Sequence, residues 1–298
     1  NTMRRYILSV IIAGSFLPGN GQELYIMTEP ASNMPAHSLG IRLTGRFMPM
    51  QYDNKTGYRI EPEIMFGINK HLMVHAAFYA SNMFKEKFRP EGGSIYAKYR
   101  FLSTDGLHTH FRMAAFGKLS YIDNPPYIMH TVRHDMGGGI IHEEAQPVYS
   151  NEPDPDGNHS GIAGGIVATQ LLHKLAISGS ASYINRQRNT RYEKVPGLNN
   201  NAINYSLSAG YLLFPRAYKN YRQTNVNLYA EFLGSSGLDI RGNYIDIAPG
   251  IQFILNSISR IDIAWRTQLA GTMSRYNTTT WLLRYEYDFL NTFSKHKK

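Results

Sequence analysis

The chain has 298 residues, a formal charge of +9 and no cysteine, with 43% hydrophobic and 18% charged residues. The missing cysteine excludes disulfide frameworks, thiolate metal sites, cysteine nucleophiles and acylation on cysteine. Arg4, Arg5, Lys295, Lys297 and Lys298 supply five of the nine charges, so the body is only weakly basic and lacks the clustered basic face that nucleic-acid binding needs.

Residues 1–21 read as a secretory signal peptide. Arg4 and Arg5 precede an apolar run at 6–17, and Pro18, Gly19 and Gly21 suit a cleavage site. The run is too short to cross a bilayer, which takes about 20 apolar residues. Residues 22–35 are expected to be a periplasmic N-terminal segment, 36–293 the folded body and 294–298 a basic tail.

Period-two alternation recurs from residue 37 to residue 289 and predicts twelve strands. In the first, Leu39, Ile41, Leu43 and Phe47 oppose Arg42, Thr44 and Arg46. In the second, Ile60, Ile64 and Phe66 oppose Arg59, Glu61, Glu63 and Met65. The third sets Val74 and Phe78 against His75 and Tyr79, the fourth Ile95 and Tyr99 against Tyr96, Lys98 and Arg100. The fifth sets Leu119 and Tyr121 against Arg112 and Lys118. Residues 123–158 break the pattern with five prolines and the run 137–139 of glycine, and are expected to form a long loop. Strands return at 161–169 and 175–184. The next two carry Tyr205, Leu207 and Tyr211 against Ser206 and Ser208, then Leu228 and Phe232 against Asn227 and Glu231. The last three set Ile247 and Ile251 against Asp246, Ile263 and Trp265 against Asp262 and Arg266, and Trp281, Leu283, Tyr285, Tyr287 and Phe289 against Arg284, Glu286 and Asp288.

Alternation alone also suits a soluble sandwich. Strands of about 10 residues fit a tilted membrane strand better than the ordinary length of about 5–6. Connections alternate between brief ones near 69, 104, 172 and 257 and longer polar ones elsewhere, with 215–223 as an exception. Tyr and Trp sit near the ends of the apolar series, as in an interfacial girdle. Strands that span a bilayer must close into a barrel to satisfy their backbone.

On these features the chain resembles Gram-negative outer-membrane β-barrels of the porin and transporter class, over residues 36–293. The resemblance implies an antiparallel up-and-down barrel of about 12 strands in the outer membrane, contact with outer-membrane lipid and with the barrel assembly machinery, and a small solute as cargo. No cofactor is expected. The aromatic residue that closes such barrels is Phe289 or Phe293.

The polar series is expected to line the lumen: Arg42, Arg46, Arg59, Glu61, Glu63, Lys98, Arg100, Arg112, Lys118, Glu231, Asp246, Asp262, Arg266, Arg284, Glu286 and Asp288. Its cations concentrate in the first half and its carboxylates in the second, which predicts a transverse field with contact at the seam of the first and last strands. Three functions follow: a porin-like channel for small polar or amphipathic solutes, a structural or surface-binding barrel with a filled lumen, or a barrel hydrolase acting on lipid or peptide. No catalytic residue is assigned. His159 and Ser160 are adjacent and would point to opposite faces of a strand. Asp154 and Asp156 could act at the rim. His130, His134 and His142 are candidate metal ligands, the first two at helical spacing, and "PDPDG" at 153–157 lacks the distal Glu of a calcium loop.

Overall fold

A computed structural model of the chain describes residues 25–293, apart from 53–54, 86, 107–108, 137–140 and 216–222. The expected signal peptide, the basic tail and most of the 215–223 connection lie outside the described residues.

The described chain is all-β. Its strands are β1 (Ser38–Pro49), β2 (Thr56–Gly67), β3 (Leu72–Ser81), β4 (Arg89–Asp105), β5 (Thr109–Ile122), β6 (Tyr127–Asp135), β7 (Ile141–Tyr149), β8 (Gly161–Leu172), β9 (Leu175–Arg186), β10 (Asn201–Phe214), β11 (Asn225–Gly237), β12 (Asn243–Leu255), β13 (Ser259–Gly271) and β14 (Thr279–Phe289). Twelve of them, β1–β5 and β8–β14, close into one antiparallel barrel in which β1 pairs with both β2 and β14. The seam register sets Leu39 opposite Phe289, Arg42 opposite Glu286 and Phe47 opposite Trp281. The terminal aromatic of the last strand is therefore Phe289. Phe293 lies beyond it, its N–H donating to His37 O at 3.2 Å and its ring 6.3 Å from Phe66.

The pleat sorts the alternating side chains as the sequence leads one to expect. Ile41, Leu43, Ile60, Ile64, Ile95, Leu119, Ile166, Leu207, Phe232 and Leu283 are exposed on the outside. Their in-strand neighbours Arg42, Thr44, Arg59, Ser94, Glu231 and Arg284 are buried. β-Branched and aromatic residues favour such a pleated surface, and closure leaves no unpaired strand edge in the ring. Two aromatic bands mark the outside. Phe47, Tyr58, Trp265 and Trp281 cluster at the end with the long connections, with the two tryptophan rings 6.0 Å apart. Tyr99, Tyr211 and Phe289 lie toward the other end.

Two departures from the expectation concern what lies beyond the strands. The long loop contains a separate hairpin, β6–β7, while β5 pairs directly with β8. The hairpin escapes detection because most of β7 is exposed on both faces, so no apolar series alternates with a polar one. Residues 25–35, expected outside the barrel as part of a periplasmic segment, instead lie within it. They touch inward side chains of β1, β4, β5, β8, β10 and β11. The physical reason is that a twelve-stranded ring is too wide for its own side chains to fill, unlike an eight-stranded one.

Candidate functional site

The interior holds a cavity of about 330 Å³. Four parts of the chain bound it: the inward faces of the strands, residues 26–29 of the N-terminal segment, Glu152, Asp154, Pro155, Asp156 and Asn158 of the long connection, and Arg275 and Asn277 between β13 and β14.

The N-terminal segment is held by charges on opposite sides of the ring. Glu231 on β11 accepts hydrogen bonds from the N–H groups of Ile26, Met27 and Thr28 at 2.8–3.0 Å and from the Thr28 hydroxyl at 2.7 Å. Lys98 on β4 donates to Pro30 O at 2.5 Å and Ser32 O at 2.8 Å. Arg112 donates to Ser32 Oγ, and Ala31 N donates to Thr169 Oγ1. Tyr25 and Ile26 pack against Leu171, Ala176, Tyr229, Ala264 and Leu282. The segment leaves past Gly67, where a Cβ would lie 2.0 Å from Pro35 O.

At the opposite end the long connection turns inward. Arg59 pairs with Glu91 at 3.1 Å and donates to Asp156 O, Gly157 O and Asn158 Oδ1. Gly157 sits at φ +101° against that guanidinium, and a Cβ there would lie 2.8 Å from Arg59 Cζ. Lys118 pairs with Asp156, and Arg46 with Glu61 at 2.8 Å. Arg275 joins Asp246 at 2.9 Å and Glu152 at 3.1 Å, with its guanidinium 3.8 Å from the centre of the Tyr244 ring. Arg266 also reaches Asp246, at 2.6 Å.

Near the seam Arg42 is the hub, with Glu286 at 2.6 Å, Glu29 at 2.8 Å and Glu63 at 3.1 Å. Arg260 binds Glu286 and lies 3.5 Å from Asp262, and Arg284 lies 4.0 Å from Asp262. His75 Nδ1 is 2.7 Å from Glu63.

The transverse field is not what these contacts make. Cations and carboxylates meet within small local groups, some between ladder neighbours such as Arg42 with Glu286 and Glu63, others with the N-terminal segment or the connections, so charge is paired locally and no wall-to-wall field forms. The seam contact of Arg42 with Glu286 is where it was expected, whereas Arg46 turns to Glu61 on β2. Arg100 lies at the short-turn end, donating to Lys70 O at 2.6 Å, and Asp288 faces Gly40 across the seam. Glu29, Glu91, Glu152, Arg260 and Arg275 complete these groups and were not singled out from the sequence. Arg260 shares the parity of Asp262 and could have been found. Glu152 and Arg275 sit in connections, where no periodicity points inward.

The other candidates lie apart from the cavity or are already engaged. His134 and His142 face each other across the exposed hairpin, and His130 is four residues along a strand from His134, about 13 Å away. The helical spacing expected for that pair is thus replaced by an extended one. Among the described residues no group of three or more His, Asp and Glu converges on a possible ion. Asp154 is turned inward rather than standing at the rim, accepting from Asp156 N and Asn158 Nδ2 at 2.8 Å. Burial, and then the nearby Glu152 carboxylate, push Asp154 above the ordinary carboxylate range. Burial also raises Glu152, but Arg275 and Arg266 outweigh it and hold that carboxyl below its usual value. His159 is buried beside Tyr276, 6.4 Å between ring centroids, and burial holds its imidazole well below the usual range. Ser160 Oγ accepts from Ile122 N at 2.8 Å, so Ser160 ties the start of β8 to β5, while both ring nitrogens of the buried His159 have no hydrogen-bond partner among the described residues.

No protein-family model and no curated protein matches the chain. Among solved structures it is similar to an outer membrane channel from Pseudomonas putida F1, at TM-score 0.55 and 10% identity, covering 89% of this chain and 100% of that one. The KdgM porin aligns at TM-score 0.45 and 8% identity over 84% of this chain and 99% of its own. The CymD monoaromatic hydrocarbon channel aligns at 0.41 and 9%, over 86% and 88%. The chain has the fold of the outer-membrane β-barrels.

Proposed function

We propose that this protein is an outer-membrane channel that admits small polar or amphipathic solutes, and that it does so by passage rather than by catalysis. The observation that carries this reading is a polar cavity of about 330 Å³ inside a closed strand ring whose outer face is apolar. The apolar outside suits lipid, and the cavity falls at the lower end of the usual range for small-molecule pockets, about 300–1,000 Å³. Arginines paired with carboxylates along the wall supply hydrogen-bonding groups of both signs, which favours polar or zwitterionic groups over bulky apolar ones.

The test is reconstitution of the mature chain in planar bilayers. Discrete, reproducible conductance steps are the expected result. A heat-modifiable barrel that never conducts would replace the channel by a filled structural or surface-binding barrel, a reading favoured by the two segments that occupy the interior. Release of fatty acid from phospholipid vesicles would replace it by a hydrolase. A chain soluble without detergent would overturn the membrane assignment.

A further inference from the structure

We propose that residues 25–35 form a displaceable gate, seated across the lumen between Glu231 and Lys98, and that solute passes only when this segment leaves its seat. The proposal rests on the channel reading and adds how the channel is regulated.

The segment's described backbone joins no strand, and its anchors are barrel side chains that meet its backbone at Glu231 and Lys98 and its side chains at Glu29, Thr28 and Ser32, with Tyr25 and Ile26 packed on the wall. Its departure leaves every strand pair of the ring intact. Pro30 and Pro35 lack an N–H, which disfavours pairing of the segment into a sheet. Glu231 and Lys98 are 1% and 0% exposed, and each spends its charge on polar groups of the segment. An isolated buried charge is costly. Here both charges face the lumen, so water can take over the same hydrogen bonds once the segment withdraws. The exchange of one solvated set for another makes two states accessible. β11 and β4 lie nearly opposite in the ring, five strands apart out of twelve, so a segment bonded to both must cross the passage. The long connection at the other end is built in differently. Its Asn158 and Ser160 are tied to Arg59, Asn189 and Ile122, so moving it would disturb the start of β8.

The chain has no cysteine, which permits a clean lock. Thr28 Oγ1 and Ser208 Oγ lie 3.0 Å apart. The double variant Thr28→Cys, Ser208→Cys is oxidised, the disulfide is verified by mass, and conductance is recorded before and after addition of a reductant. The expected result is a closed oxidised form whose open fraction rises at least ten-fold on reduction. Glu231→Gln, which weakens the seat without a cross-link, is expected to open several-fold more often than the wild type and serves if the double variant fails to fold. A polymer-linked maleimide too large to enter the barrel is expected to label Thr28→Cys slowly but completely. Equal conductance of the oxidised and reduced forms overturns the gate and leaves the channel reading standing. If no form conducts, the channel reading falls and the gate with it. Complete protection of Thr28→Cys in a conducting protein also overturns the gate.

Discussion

Glu286 shows how much a single interior carboxylate holds. It binds Arg42 of β1 and Arg260 of β13, so it joins three consecutive strands across the closure. From the sequence, Glu286→Ala is expected to alter the lumen and leave assembly largely intact. The contacts add a stability cost, because removing one partner leaves buried arginines short of compensation, about 3–5 kcal/mol for a fully buried pair. Arg42 keeps Glu29 and Glu63, and Arg260 keeps Asp262, so a loss of about 2 kcal/mol is expected in urea unfolding of the reconstituted barrel. Glu152 carries a pH signature. Its carboxyl is held low by Arg275 and Arg266, so its contribution to docking the long connection is complete above the ordinary carboxylate range and is lost as pH falls through the lowered value. Asp154 is raised and works in the opposite sense, its contribution being complete in acid and lost as pH rises. Protection of the amides at 150–160, taken relative to their intrinsic exchange rates, should therefore fall in acid less steeply than Glu152 alone would give, and Glu152→Gln should remove the fall.

Among elements, β14 was legible almost completely. Trp281, Leu283 and Tyr285 are exposed while Arg284 and Glu286 are buried, as strict alternation requires. Leu283 lies midway along the strand on the outer face, so Leu283→Arg should cost about 2–4 kcal/mol at the bilayer centre and reduce the folded fraction in vesicles on a gel-shift assay. β6 and β7 were not legible, for the opposite reason: with both faces largely in water, no selection for alternation acts on them. The inward turn of the long connection was equally hidden, although Gly157 marks it. Gly157→Ala meets both a left-handed backbone and the Arg59 guanidinium, so the connection should dock poorly, detected as faster proteolysis at 150–160.

In the whole molecule, the interior charges cancel within groups. Among the described side chains lining the cavity, cations and carboxylates are nearly equal in number. Weak ion selectivity is therefore expected, with a reversal potential close to zero in a potassium chloride gradient. A strongly shifted potential would mean that the local pairs break in the conducting state. By itself the sequence determined the strand class, the ring and which face of each strand is apolar, because the pleat makes those a matter of residues two apart. Only the tertiary structure decided what fills the ring. Met27 and Glu231 are 204 residues apart, and Glu152 and Arg275 are 123 apart. No local period encodes such meetings. They follow from closure, which leaves a passage too wide for strand side chains alone and brings charged groups within reach of any polar segment that enters it.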